Sequence, residues 1–232
     1  MLRTEVVHGS GSAILRALIL GGQDGLVNVL GIVLAVATAT NDIRVILISG
    51  LAATFAESIS MAAVAYTSQK AAKEYYEKQL AVEQQEIMEK PEIEREEIRK
   101  IFSNKGFRGD LLKKIVQHIT KDKKLWLETM MTDELGLSKE EFAYPIRDAW
   151  VVGVSAIIGS VIPLIPFLLF DITTAFWATL VFSTIVLFVS GAAKAKFTKI
   201  NPLKSGAEMA IVGMTAAIAG YLIGAALGAL PA

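Results

Sequence analysis

The chain has 232 residues, of which 53% are hydrophobic, and its formal net charge is zero. The charge balance excludes a strongly basic protein built for nucleic acid, and the hydrophobic content is too high for an ordinary soluble domain. There are no cysteines and only two histidines, which excludes disulfides, thiolate metal sites and a histidine-rich zinc site. Because the apolar residues form long runs, we expect an integral protein of the lipid bilayer.

The first apolar run covers residues 17–41 and contains one charged side chain, Asp24. A helix spans a bilayer with about 20 apolar residues, whereas the core of a signal peptide has about 7–15, so we expect a retained span. A carboxylate inside a span costs roughly 2.5–3.5 kcal/mol and is expected to face protein or water and to be functional. The alternative is a structural aspartate that hydrogen-bonds a neighbouring helix.

The second apolar run, residues 45–69, has Glu57 as its only charge. No helix breaker separates it from the charged stretch that follows. We therefore expect the second span to continue as a helix as far as Lys90, and Pro91 to begin the next helix. Gly106 is expected to end that helix.

The remaining spans lie in the second half of the chain. Residues 110–135 are predicted to be helical. The apolar run 149–193 is too long for one span, so a turn at Asp171 should divide it into a third and a fourth span. A basic connector, residues 194–204, leads to a fifth span at 209–232. This last span carries a stripe of small residues suited to close helix contact: Gly220, Gly224 and Gly228.

Five spans place the two ends of the chain on opposite sides of the membrane. The N-terminal leader, the 70–148 segment and the 194–204 connector share one side and carry every Lys and Arg except Arg44. The positive-inside rule predicts that this side is cytoplasmic.

The expected fold is an all-α membrane protein with a cytoplasmic helical metal-binding domain inserted between spans 2 and 3. Residues 1–69 would form the leader and the first two spans. Residues 70–146 would form the inserted domain, and residues 147–232 would form spans three to five.

Two pairs of glutamates flank Pro91. Glu83 and Glu86 are three residues apart and share a helix face, and Glu94 with Glu97 repeats this spacing. Helices folded back at Pro91 could direct four carboxylates to one point, and such oxygens suit divalent cations. The alternative is a solvated charged helix, because glutamates recur nearly every third residue here.

Methionines provide a second indication of metal chemistry. Met130-Met131 lies just before Glu134, and thioether sulfur favours a transition metal over magnesium or calcium.

In the membrane, Asp24 and Met61 are each about eight residues, roughly 12 Å, from the inner end of their antiparallel spans. Glu57 lies one turn further outward on the face of Met61, which predicts a path across the membrane. For Met61 alone, simple packing is the alternative.

These residues lie in three motifs that resemble the vacuolar iron transporter family, which includes yeast vacuolar and plant nodulin-like relatives. The motifs are GGQDGLVN in the first span, ESISMAAVAYTS in the second and WLETMMTDELGL before the third. The resemblance runs from about Arg16 to the C-terminus. It implies a homodimer of five-span subunits with the ion path between them, and a cytoplasmic three-helix domain that gathers metal.

The resemblance also implies residue roles. Asp24 and Met61 match the membrane ligands of the family. One position departs from the family pattern, because Ala53 stands where relatives often have a glutamate, and Glu57 follows one turn later. The matching cytoplasmic ligands are Glu83, Glu86, Glu94, Glu97, Met130, Met131 and Glu134.

The function implied is transport of ferrous iron, and of manganese, out of the cytoplasm by proton exchange. Divalent ions and protons would be its partners, with no tightly bound cofactor and no nucleic acid. The host would be the cell membrane of a prokaryote or a vacuole-like membrane of a eukaryote. An enzyme is not expected, since no nucleophile–base pair is visible. A membrane-anchored metal buffer or sensor is the alternative, although an anchor needs no buried acids.

Overall fold

The structure is a computed structural model and describes residues 9–138 and 144–228. The described residues are helical, with no strand among them, which confirms the all-α prediction. In chain order the elements are α1 (Gly9–Ala39), α2 (Ile43–Glu89), α3 (Pro91–Asn104), α4 (Gly109–Lys121), α5 (Lys123–Thr129), a π-helical turn (Met130–Glu134), α6 (Pro145–Val161), a 3₁₀ turn (Ile162–Leu164), α7 (Ile165–Leu169), α8 (Ile172–Thr198) and α9 (Pro202–Gly228).

Five stretches of helix are long and apolar enough to cross a membrane, as the sequence predicts. They are Ile14–Ala39, Ile43–Glu89, Pro145–Leu169, Ile172–Thr198 and Pro202–Gly228. The second of these continues unbroken through the charged stretch, as expected. Pro91 begins α3, where its missing N–H removes no helical hydrogen bond. The chain is therefore a membrane protein.

Two helix boundaries differ from expectation, because hydropathy marks the membrane and not the end of a helix. α1 begins at Gly9, inside the predicted leader, and α9 begins at Pro202, before the predicted start of the fifth span at residue 209. Asn201 Oδ1 accepts hydrogen bonds of 2.9 and 3.3 Å from two backbone N–H groups in the first turn of α9. This cap starts the helix before its apolar part. The turn predicted at Asp171 is present, and its side chain caps α8.

The chain divides into two compact units. The membrane unit comprises Met1–Tyr66 and Ile146–Ala232, and the inserted unit comprises Thr67–Pro145. Helix α2 contributes residues to both. That the inserted unit binds metal and lies in the cytoplasm stays a prediction.

Helices α1 and α9 pack through small residues spaced four apart on both helices. A Cβ atom added to Gly220 would lie 2.1 Å from the carbonyl oxygen of Gly31, and one added to Gly224 would lie 2.2 Å from that of Ala35. Both contacts advance in the same chain direction, so the two helices run parallel. The predicted glycine stripe is thus a surface where two backbones touch.

Helix α1 also packs closely on α6. An added Cβ at Gly21 would lie 2.3 Å from the carbonyl oxygen of Val152, and one at Gly25 would lie 2.4 Å from that of Ala156. Residue numbers increase in the same direction on both helices at these contacts, so α6 runs parallel to α1 and α9. Helix α2 runs the other way, since Gly50 faces Leu164 while the later Ala62 faces the earlier Gly153. Helix α8 runs antiparallel to α9.

The inserted unit has its own apolar core. The core residues come from α2, α3, α4 and α5 and from the start of the π-helical turn, and they are Ile87, Ile98, Val116, Ile119, Trp126 and Met130. Gly106 ends α3 with a φ of +99°, as predicted. Asp122 caps α5. An ion pair of 2.5 Å between Lys105 Nζ and Asp133 Oδ1 joins the end of α3 to the π-helical turn.

The α1–α9 contact leads to a stability prediction. Gly220→Ala should lower the melting temperature of the detergent-solubilised protein, because the new Cβ would lie 2.1 Å from a backbone oxygen. Overpacking typically costs about 1–3 kcal/mol, more than the roughly 0.5–1 kcal/mol that alanine gains over glycine within a helix. Gly22→Ala is the matched control, because its Cβ would meet its nearest atom at 3.6 Å. Equal melting temperatures for the two variants would contradict this packing.

Candidate metal sites

Two acids on adjacent antiparallel helices approach each other inside the membrane unit. Asn28 Nδ2 donates a 2.5 Å hydrogen bond to Glu57 Oε1, and Asp24 is within hydrogen-bonding reach of Glu57. This membrane cluster, defined as Asp24, Asn28 and Glu57, therefore provides oxygen ligands from two adjacent helices.

Met61 and Ala53 lie one turn to either side of Glu57 on α2. Because α1 and α2 are antiparallel and Asn28 meets Glu57, Met61 comes level with Asp24. Ala53 packs against an apolar cluster formed by α1, α2, α7 and α8. Residue 53 therefore lies against apolar side chains, and Glu57, one turn later, is the carboxylate that contacts α1.

The membrane cluster lies on an accessible face of the single chain. Asp24 and Asn28 are exposed, and Glu57 is half-buried. Ionised groups that face hydrocarbon are costly and normally face protein or a water-filled cavity. The cluster therefore needs cover from something other than lipid.

A second group of acids lies in the inserted unit. Glu83 on α2 and Glu94 on α3 are only 6% and 3% exposed. Within the described part of the chain, the buried Oε2 atom of each has no hydrogen-bond partner. Such carboxylates are rarely buried without a partner, because the desolvation of an unpaired polar atom is unfavourable. These oxygens suit a cationic ligand.

Burial and mutual repulsion change the acidity of this group. Burial, together with repulsion from Glu134, Glu86 and Glu97, raises the pKa of Glu83 from 4.5 to about 7. Burial and, after it, repulsion from the other four carboxylates together raise the pKa of Glu94 to about 7. The pKa of Glu134 is raised by burial and then by Glu97 and Glu86. The structure thus brings all five predicted glutamates into one electrostatic cluster.

The two methionines have different surroundings. Both are buried, at 0% and 1% exposed, but Met130 belongs to the apolar core of the inserted unit whereas Met131 does not. Core packing therefore accounts for Met130, and Met131 is the better candidate for a thioether ligand. Both begin the π-helical turn that ends at Glu134, and π-helical turns are frequent at functional sites.

The glutamates are near one another without forming a closed metal site. Among residues 9–138 and 144–228, no three His, Cys, Asp or Glu side chains are grouped as a metal site. Repulsion keeps the carboxylates apart, and a divalent cation would turn it into attraction. Carboxylates with one soft thioether are a ligand set that suits a transition metal.

Two polar residues of the membrane unit were not singled out from the sequence. Asn28 lies in the GGQDGLVN motif, four residues after Asp24. This spacing places both side chains on one helix face, so it could have indicated that Asn28 belongs with Asp24. Asp148 is buried at the start of α6, and its Oδ1 accepts a 3.0 Å hydrogen bond from Arg147 Nε. A pair of adjacent charges gives no periodic pattern, so the burial of Asp148 could not be predicted.

Comparison with known proteins agrees with the motifs. The VIT family model matches residues 15–225. Vacuolar iron transporter 1 of Arabidopsis thaliana is 30% identical over 217 residues, covering 93% of this chain and 87% of that protein. Vacuolar iron transporter 1 of Tulipa gesneriana is 30% identical over 224 residues, covering 96% and 91%. The vacuolar iron transporter of Plasmodium falciparum (isolate 3D7) is 28% identical over 223 residues, covering 92% and 82%. The family match includes the membrane cluster and the glutamates of the inserted unit, and the chain therefore belongs to the VIT family.

Proposed function

We propose that this chain exports ferrous iron, and also manganese, from the cytoplasm in exchange for protons. The observation that carries the proposal is the membrane cluster, because two acids in contact within apolar spans have no use in a simple anchor. The names of the relatives, which share about 30% of their residues with this chain, support metal transport.

Asp24 and Glu57 would exchange a proton for the metal ion. With one proton shared, the pair carries a single negative charge. After losing that proton, the pair carries two negative charges and can neutralise a divalent ion. Asn28 would hold Glu57 against α1, and Met61 would add a soft ligand that favours a transition metal over magnesium.

The inserted unit would collect the ion before transport. Glu83 and Glu94 would lose their protons near neutral pH and bind metal together with their neighbours. The soft ligand would come from the methionine pair, chiefly Met131. The full set of proposed ligands is Glu83, Glu86, Glu94, Glu97, Met130, Met131 and Glu134.

A second copy of the chain would cover the membrane cluster. Asp24 and Asn28 are exposed in the single chain, and charge that faces lipid is unfavourable. A homodimer with the cluster at its interface would remove these groups from lipid and place the ion path between the subunits.

The alternating directions of the five spans support a cytoplasmic inserted unit. The inserted unit and the connector between α8 and α9 would lie on one side, together with every Lys and Arg except Arg44. By the positive-inside rule this side is the cytoplasm. The host membrane would be vacuole-like in a eukaryote and the cell membrane in a prokaryote.

Transport by the membrane cluster can be tested in proteoliposomes. Asp24→Asn should reduce Mn²⁺ uptake driven by a pH gradient about tenfold or more, because an interaction with a charged group is worth about 1.5–3 kcal/mol. Glu57→Gln should remove the dependence on the gradient. Met61→Leu should keep uptake but weaken the preference for Mn²⁺ over Mg²⁺.

Glu208→Gln is the control for these variants, since it neutralises an exposed acid on α9 outside the cluster. Normal gradient-driven uptake by Asp24→Asn would exclude the proposed path. Metal binding without uptake by the wild-type protein would favour a metal buffer or sensor.

Metal binding by the inserted unit should depend on pH. The raised pKa values of Glu83 and Glu94 mean that both are protonated below about pH 7, so Mn²⁺ affinity should fall as pH is lowered from 8 to 6. The stability of the metal-free protein should change in the opposite direction. The folded protein holds these protons more tightly than the unfolded chain does, so its free energy of unfolding falls as pH rises from 4.5 to 7.

Calorimetric titration of the full-length protein in detergent tests this dependence. Glu83→Gln with Glu94→Gln should weaken Mn²⁺ binding and flatten the pH profile. Glu74→Gln with Glu77→Gln is the matched control, because these exposed residues of α2 pair with Lys70 and Lys73 at 3.7 Å. The same loss in both double variants would argue against a specific site.

The orientation can be tested by cysteine labelling, since the natural chain has no cysteine. Asn104→Cys in the inserted unit and Lys199→Cys in the α8–α9 connector should react with an impermeant maleimide from one side, and Thr173→Cys from the other. Labelling of Asn104→Cys and Thr173→Cys from the same side would refute five crossings.

A further inference from the structure

The end of α8, the start of α9 and the three residues that join them combine exposed apolar side chains with lysines. The α8–α9 corner is defined here as residues 194–204. Its four lysines are Lys194, Lys196, Lys199 and Lys204. Its large apolar side chains are exposed, with Phe197 at 67%, Ile200 at 50% and Leu203 at 69%. This alternation differs from an ordinary solvated loop, in which large apolar side chains would be few.

Helix length places this corner at the level of the lipid head groups. Trp177 and Phe197 are twenty positions apart on α8, which is about 30 Å and equals the thickness of the hydrocarbon core. Both rings are exposed, at 62% and 67%. Trp is enriched at membrane interfaces, so a span with Trp177 at one interface would reach the other interface near Phe197. The residues after Phe197 would then lie among the head groups.

The backbone of the corner is fixed by close contacts and caps. Lys199 has a φ of 56°, and the N–H groups of Lys199 and Ile200 both donate to the Ala195 carbonyl oxygen, which closes α8. Gly191 lies so near α9 that an added Cβ would be 2.5 Å from the Ser205 carbonyl oxygen. Glycine is the usual residue where a helix ends in the left-handed conformation. Lys199 adopts this conformation less readily than glycine would, but it places a positive charge at the end of α8.

The lysines of the corner carry an unbalanced charge. Within the described residues none of the four forms an ion pair. In contrast, Lys70 and Lys73 on α2, and Lys90 directly after it, each pair with a glutamate four residues away at 3.7 Å. The only acid within four residues of the corner is Glu208. Basic residues beside a span, with apolar side chains at the interface, suit a surface of anionic lipid.

We propose that the α8–α9 corner binds anionic phospholipid. Lys196, Lys199 and Lys204 would contact the phosphate groups, while Phe197 and Leu203 would enter the region of the acyl chains. Since α9 packs against α1 backbone to backbone, a lipid held here would fix the end of the helix that supports the membrane cluster. Lipid binding itself is independent of the identity of the transported ion.

The test measures lipid binding by full-length protein in detergent, using native mass spectrometry with phosphatidylglycerol or phosphatidylcholine as the probe. The wild-type protein should prefer phosphatidylglycerol. A variant with all four corner lysines changed to Gln should lose this preference, since a lysine near an anionic surface is worth roughly a fivefold change in affinity. The control changes Lys113, Lys121, Lys123 and Lys124, all exposed on α4 and α5, to Gln and should bind as the wild type does.

A second variant separates lipid binding from folding. Lys199→Gly should melt at the same or a higher temperature, because glycine suits the left-handed backbone, yet bind phosphatidylglycerol several-fold more weakly. An unchanged preference in the quadruple corner variant, or an equal loss in the α4–α5 control, would overturn the proposal. Displacement of phosphatidylglycerol by millimolar inorganic phosphate would also overturn it, since the corner would then be a site for soluble phosphate.

Discussion

Both candidate metal sites depend on how unfavourable it is to remove a carboxylate from water. A buried carboxylate is unfavourable by several kcal/mol unless a proton, a hydrogen-bond donor or a cation compensates for its charge. In the membrane unit the donor to Glu57 is Asn28. In the inserted unit, burial and repulsion keep Glu83 and Glu94 protonated up to about pH 7. Exchange of such protons for a divalent cation is the physical basis of the proposed transport.

The helices hold these acids through small residues. Helix α1 touches α6 and α9 backbone to backbone, so the helix that carries Asp24 has parallel neighbours in close contact. Glycine at these contacts contributes no hydrophobic side chain and instead permits the approach. Packing on the other faces of α1 therefore fixes the rotation and height of this helix, and with them the position at which Asp24 approaches Glu57.

Much of this arrangement could be predicted where one local rule decides the outcome. The continuous α2, the start of α3 at Pro91 and the glycine contacts on α9 each follow from spacing or from a single residue type. The convergence of Glu83 with Glu94 followed from the fold-back at Pro91. The different surroundings of Met130 and Met131 could not be predicted, because they depend on how a π-helical turn rotates two adjacent side chains. The Asn28–Glu57 bond likewise depends on the register of two helices.

Simultaneous measurement of metal and proton movement tests the central claim most directly. Proteoliposomes that contain the full-length chain would carry a pH indicator inside, and Mn²⁺ would be added outside without an imposed gradient. Exchange at the membrane cluster predicts that uptake of Mn²⁺ makes the lumen more alkaline, as protons leave in proportion to the metal that enters. Uptake of Mn²⁺ with no change in luminal pH, under conditions in which the membrane potential is clamped, would contradict proton exchange.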